Sequence, residues 1–98
     1  MIEIIQSDTF KHWLASLKDR QAKARIQMRI DRFMLGNPGD VKPVREGIQE
    51  LRIDCGPGYR VYFIYRGSVL VILLAGGDKH SQNSDIERAI NLAKQWSD

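Results

Sequence analysis

The sequence predicts an α+β domain in which helices cover one face of a mainly antiparallel sheet. Three observations carry this. Between residues 8 and 34 apolar side chains recur every three or four positions, the period of a helix. Between residues 41 and 75 they recur every second position, and glycine-containing turns cut the run into short pieces. The helical period then returns towards the C-terminal end. Three successive strands joined by hairpins must lie antiparallel, and amphipathic helices must bury their stripes against the sheet they make.

Residues 1–6, isoleucine-rich and weakly alternating, read as a first strand. Ser7 or Asp8 caps a first helix. Phe10, Trp13, Leu14 and Leu17 form its apolar stripe, and it ends near Asp19. In a second helix Ala22, Ile26, Ile30, Phe33 and Met34 line one face while Arg25, Arg29 and Arg32 fall elsewhere. A short connection makes the pair a helical hairpin. Gly36 offers a left-handed terminus and Pro38 prevents continuation.

Residues 41–45 are extended. Over residues 49–55, Leu51 and Ile53 share one face, with Glu50, Arg52 and Asp54 on the other. Gly56-Pro57-Gly58 is a turn. Over residues 59–66, Tyr59, Val61, Phe63 and Tyr65 oppose Arg60, Tyr62 and Ile64. Gly67-Ser68 fits a two-residue hairpin loop. Residues 69–75 are apolar on both faces and form a central strand. Gly76-Gly77-Asp78 should break it, leaving Lys79, His80, Ser81, Gln82 and Asn83 as a polar segment. Ser84-x-x-Glu87 is a capping box for a last helix with the stripe Ile86, Ala89, Ile90, Ala93 and Trp96.

With 98 residues and 43% hydrophobic side chains, the chain suits one domain, residues 1–98, without repeat, low-complexity tract or linker. No apolar run approaches the roughly 20 residues of a membrane span. The first five residues lack a basic region and a cleavage site, so no secretory signal and a cytoplasmic location are expected. Cys55 is the only cysteine, which excludes an intramolecular disulfide and a Cys-rich metal site. His12 and His80 stand far apart without companions, so no metal or other cofactor is expected. Neither glycine cluster has the spacing of a dinucleotide loop or a phosphate-cradling P-loop.

The formal charge is +3, from 15 basic and 12 acidic residues. All of the excess lies in residues 1–49, with nine basic and six acidic groups, against six of each in residues 50–98. Lys18, Arg20, Lys23, Arg25, Arg29 and Arg32 crowd the helical hairpin. A solvated helix face with Asp19 and Asp31 as local partners accounts for this. So does a footprint for nucleic acid or an acidic protein.

The second half carries a different signal. Glu50, Arg52, Arg60 and Tyr62 alternate with core residues on neighbouring strands, which puts them on the sheet face opposite the helices. The turn between their strands brings Arg52 and Arg60 together, and the segment from Lys79 to Gln82 closes over the same face. An outward polar face is ordinary for an antiparallel sheet. Two arginines, a lysine, a histidine and a carboxylate also suit an anionic substrate, because guanidinium binds phosphate bidentately and fixed cations stabilise charge developing on it.

Four stretches resemble a known group. They are Gly36-Asn37-Pro38-Gly39-Asp40-Val41-Lys42-Pro43-Val44, Glu50-Leu51-Arg52-Ile53, Gly56-Pro57-Gly58-Tyr59-Arg60-Val61-Tyr62-Phe63, and Leu73-Leu74-Ala75-Gly76-Gly77-Asp78-Lys79 with Gln82. Together with Trp13-Leu14 and the closing Asp85-Ile86-x-x-Ala89 helix, the chain is similar to the RelE/ParE superfamily of bacterial type II toxins, and within it to the HigB-like addiction module killer proteins. The resemblance implies a RelE-like fold and a ribosome-dependent mRNA endoribonuclease, in which a ribose 2′-hydroxyl attacks the adjacent phosphate. It implies a neighbouring antitoxin, of helix-turn-helix type, that neutralises the toxin and alone carries operator DNA binding. It places Arg60 as the phosphate-stabilising arginine and Arg52 as a basic partner. It leaves Glu50, Lys79 and His80 as further catalytic candidates, with Glu50 standing where relatives often have a lysine. Lys42, Tyr62 and Gln82 become RNA contacts, and Arg25 and Arg29 an antitoxin-docking surface. ParE-like relatives that inhibit DNA gyrase, and a silent antitoxin-binding module, are the alternatives.

Overall fold

The computed structural model describes residues 1–96. The elements are β1 (Glu3–Gln6), α1 (Asp8–Ser16), α2 (Arg20–Met34), β2 (Val41–Pro43), β3 (Gln49–Ile53), β4 (Tyr59–Arg66), β5 (Leu70–Asp78), a 3-10 turn (Lys79–Ser81) and α3 (Gln82–Gln95). The strands form one sheet in the order β1-β5-β4-β3-β2. β2 to β5 pair antiparallel, as the hairpin spacing predicts, and β1 is the parallel exception beside β5.

The α1–α2 hairpin buries its stripe on one face. Phe10, Ile26, Ile30 and Phe33 meet Leu51, Val61, Phe63 and Leu73 there, with Phe33 edge-on to Phe63 at 5.0 Å between ring centroids. Asp19 does not end α1. It caps α2, its Oδ1 accepting from the amides of Gln21 at 3.0 Å and Ala22 at 3.2 Å. α1 stops at Ser16, which frees the chain to turn.

α3 packs on the opposite face, where Ile86, Ala89 and Ile90 meet Tyr62, Ile64, Ile72 and Leu74. This corrects the expectation that helices cover only one side. A stripe shows that a helix must be buried, not which side of the sheet receives it. Arg66 at the end of β4 holds the far end of α3, donating to the Trp96 carbonyl at 3.2 Å.

β5 differs from its expected form in three ways. It starts at Leu70, so the hairpin loop has three residues, 67–69, with Gly67 left-handed at φ 67°. It contains a bulge: Tyr62 pairs with Ala75 and Phe63 with Leu73, leaving Leu74 extra. The Leu74 carbonyl is taken up by the Ser7 hydroxyl at 2.7 Å, and the same oxygen accepts from the Phe10 amide at 3.1 Å, capping α1. Finally, Gly76 and Gly77 continue the strand. After the bulge they face opposite sides of the sheet, and a Cβ on Gly76 would overlap the Trp13 indole while one on Gly77 would overlap the Asp85 carboxylate. Glycine here is required by close approach and not by a turn.

The polar segment after β5 is also more ordered than a loop. Asp78 accepts from the amides of His80 at 2.8 Å and Ser81 at 3.2 Å, which folds the 3-10 turn. α3 therefore begins at Gln82, ahead of the expected capping box, and the Ser84 hydroxyl donates back to the Ser81 carbonyl at 3.0 Å. Among the described residues no helix is long and apolar enough to cross a membrane.

Candidate functional site

Strand register builds the site. Residues directly opposite in an antiparallel pair point to the same face. One row across the sheet is Lys42, Glu50, Tyr62 and Ala75, and the next is Arg52, Arg60 and Gly77. Both rows lie on the α3 face. α3 covers the Tyr62 end, and the Arg52–Arg60 end is left open.

At that end lies an open cleft of about 350 Å³ lined by Arg52, Arg60 and Lys79, with Asp40 and Asp54 also at its wall and Gly58 in its floor. Gly58 is left-handed at φ 83°, and the Lys79 stem passes over it, 3.7 Å from where a Cβ would stand. Among the described residues the side chains of Arg52, Arg60 and Lys79 form no hydrogen bond with the protein; the Arg60 Nε is itself buried, so a ligand in the cleft meets the outer N–H groups of that guanidinium. Three cations converge on one open cleft from β3, β4 and the turn before α3.

Glu50 lies beneath the arginines and is 1% exposed. Its Oε2 accepts a 2.6 Å hydrogen bond from Gln82 Nε2 and stands 3.8 Å from Arg60 Nε. Its Oε1 stands 3.7 Å from Arg52 Nε. The Tyr62 hydroxyl lies in the same buried region. Burial, and then the Glu50 and Asp85 carboxylates, push its pKa well above the ordinary value.

The predicted residues thus divide. Arg52, Arg60 and Lys79 come together at the cleft with Glu50 below them. Tyr62 is 0% exposed under α3, so the expectation of an RNA contact there is corrected: α3 occupies the space an outward tyrosine needs. Gln82 is tied to Glu50. His80 is exposed on the 3-10 turn and stands apart from the cleft lining, and Lys42 is exposed on the edge strand. Arg29 is a strut. It donates to the Arg52 carbonyl at 2.6 Å and the Pro38 carbonyl at 3.0 Å, and burial lowers its pKa against the opposing pull of Asp40. Two donors of that guanidinium are thus taken by backbone, and it also lines a surface cleft with Arg32 and with Arg25, which is exposed on α2.

Asp85 is the buried residue that sequence reasoning overlooks. It is 4% exposed and accepts from the Ser81 hydroxyl at 2.5 Å. It precedes Ala89 by one helical turn, so an acidic group on the apolar stripe of α3 is the signal that marks it.

Three findings bear on kinship. Residues 12–97 match the family described as Phage derived protein Gp49-like (DUF891). An uncharacterized protein of Haemophilus influenzae is 53% identical over 94 residues, covering 96% of this chain and 95% of its own length. The solved structure of an Escherichia coli RelE toxin double mutant in the free state superposes with a TM-score of 0.70 over 98% of both chains, at 13% identity. That last likeness establishes a RelE-like fold.

Proposed function

We propose, for a chain that belongs to the Gp49-like family of phage-derived proteins and carries a RelE-like fold, that it is the toxin of a toxin–antitoxin pair and cleaves mRNA on the ribosome. The observation that carries this reading is the side-by-side placement of Arg52 and Arg60 with Lys79 over one open cleft. Paired guanidinium groups match the oxygens of a phosphodiester.

In the proposed reaction the ribose 2′-oxygen forms a bond to phosphorus and the bond from phosphorus to the 5′-oxygen breaks. The products are a 2′,3′-cyclic phosphate and a 5′-hydroxyl. The 2′-hydroxyl proton leaves to a base, and the departing 5′-oxygen gains one. The pentacoordinate intermediate carries extra charge on its oxygens, and Arg60, Arg52 and Lys79 stabilise it there. Only RNA has the attacking hydroxyl. The cleft takes a short stretch of RNA, and the ribosome presents the strand to it. The partner antitoxin belongs to the same reading, as do a cytoplasmic location and the single 1–98 domain.

Induction in growing bacteria tests this. Growth should stop, and new mRNA 5′ ends should appear within translated codons. DNA damage with intact transcripts would instead indicate gyrase inhibition. Antitoxin binding without either effect would indicate a silent binding module.

A further inference from the structure

Both oxygens of Glu50 are turned to protein groups and away from the cleft. One is held by Gln82 at 2.6 Å and lies 3.8 Å from Arg60 Nε; the other is 3.7 Å from Arg52 Nε and accepts no hydrogen bond. At 1% exposure this carboxylate is shielded from anything bound above the arginines. We propose that Glu50 and Gln82 are positioning residues. Gln82, in the first turn of α3, fixes Glu50, and the Glu50 charge, within 3.8 Å of both Nε atoms though hydrogen-bonded to neither, draws Arg52 and Arg60 so that the two guanidinium groups stay side by side for one phosphate. This rests on the reading that the cleft takes an RNA phosphate, and it removes Glu50 from the candidates for general base.

The physics gives the proposal a sign. A negative charge beneath two cations lowers the positive potential of the cleft, so on charge alone Glu50 opposes anion binding. A guanidinium drawn towards a fixed carboxylate loses less freedom when it meets an anion, so through positioning Glu50 favours it. Glu50→Gln keeps the side-chain shape and removes the charge. Charge alone makes that variant bind an anion more tightly, and positioning makes it bind more weakly.

The probe is a 2′-O-methyl RNA trinucleotide, which binds without being cut. It is titrated against wild type, Glu50→Gln and Gln82→Ala while the arginine Nε–H signals are followed by NMR. Gln82 is half-buried, so Gln82→Ala supplies a folded variant even if Glu50→Gln does not fold. Both variants should bind about tenfold more weakly, the equivalent of one hydrogen bond to a charged group. The Arg52 and Arg60 Nε–H signals should move towards those of free arginine in Gln82→Ala. Tighter binding by Glu50→Gln, or wild-type affinity with unmoved arginine signals in Gln82→Ala, overturns the positioning role and leaves the nuclease reading untouched. Weakened binding by both variants, from a wild-type chain that cuts no ribosome-bound mRNA, upholds the positioning role and sinks the nuclease reading.

Discussion

Gly76→Ala tests how α1 is seated on the sheet. A Cβ at this position would overlap Cε3, Cζ3 and Cδ2 of Trp13. The indole cannot step aside freely, because it packs on Phe10 with 5.8 Å between ring centroids and edge-on to Tyr59 at 6.1 Å. If the ring is squeezed, overpacking costs about 1–3 kcal/mol. If it is expelled, two aromatic contacts of about 0.5–1.5 kcal/mol each are lost, together with part of the apolar burial. The two routes together span a loss of about 1–4 kcal/mol. For a chain of 98 residues the unfolding entropy is about 0.2 kcal/mol/K, so the midpoint should fall by about 5–20 °C. Thermal melts of Gly76→Ala, Trp13→Leu and the double variant read this directly. The smaller leucine relieves the overlap, so the double variant should be more stable than the sum of the single losses, by about 1 kcal/mol or more. Gly76→Ala melting within about 3 °C of wild type, or strictly additive losses, would show that Trp13 does not fill this space.

Two further outcomes follow from buried polar groups. Ser7→Ala removes the α1 cap and strands the Leu74 carbonyl at the bulge, so the urea midpoint should fall by the equivalent of about 2–4 kcal/mol with an unchanged slope; a loss under about 0.5 kcal/mol contradicts the shared role of that hydroxyl. The Tyr62 phenol is held neutral in the fold by burial and two carboxylates, while in the unfolded chain it ionises near its ordinary pKa of 10.0. The unfolded state therefore binds fewer protons above that pH, and stability falls as pH rises, by up to about 1.4 kcal/mol per unit. Denaturation of wild type and Tyr62→Phe at pH 9 and pH 11 should show a steeper alkaline loss in wild type, and equal slopes would contradict the buried phenol.

Much of this was legible in residue order. The apolar stripes at Phe10 and Trp13, and at Ile26, Ile30 and Phe33, and the alternation about the Gly56-Pro57-Gly58 turn give the helical hairpin and the antiparallel strands. The same alternation brings Arg52 opposite Arg60, as their register confirms. What stayed hidden depends on contacts between distant parts of the chain. The stripe of α3 says nothing about which face of the sheet it covers, so Tyr62 reads as an outward residue although α3 buries it. Gly76 and Gly77 carry the local signature of a break, and only the approach of Trp13 and Asp85 explains why they continue a strand. Arg29 looks like one more cation on a basic helix until its two backbone carbonyl partners are seen. Net charge marked the hairpin, whereas the cleft cations are offset by Asp40, Asp54 and Glu50 and leave no excess in the count.

The most direct measurement incubates the purified chain with translating ribosomes and a defined mRNA, comparing wild type with Arg60→Ala. Among the described residues the Arg60 side chain makes no hydrogen bond, and without it Glu50 keeps Gln82 and Arg52 beside it, so the variant should remain folded, and its thermal melt checks this. The wild type should cut within codons and leave 2′,3′-cyclic phosphate ends. The folded variant should be slower by about 10²–10³-fold, the usual cost of removing a group that stabilises transition-state charge. Equal cleavage by both proteins, or intact mRNA with the wild type, would contradict the assignment of RNA cleavage to the arginine pair.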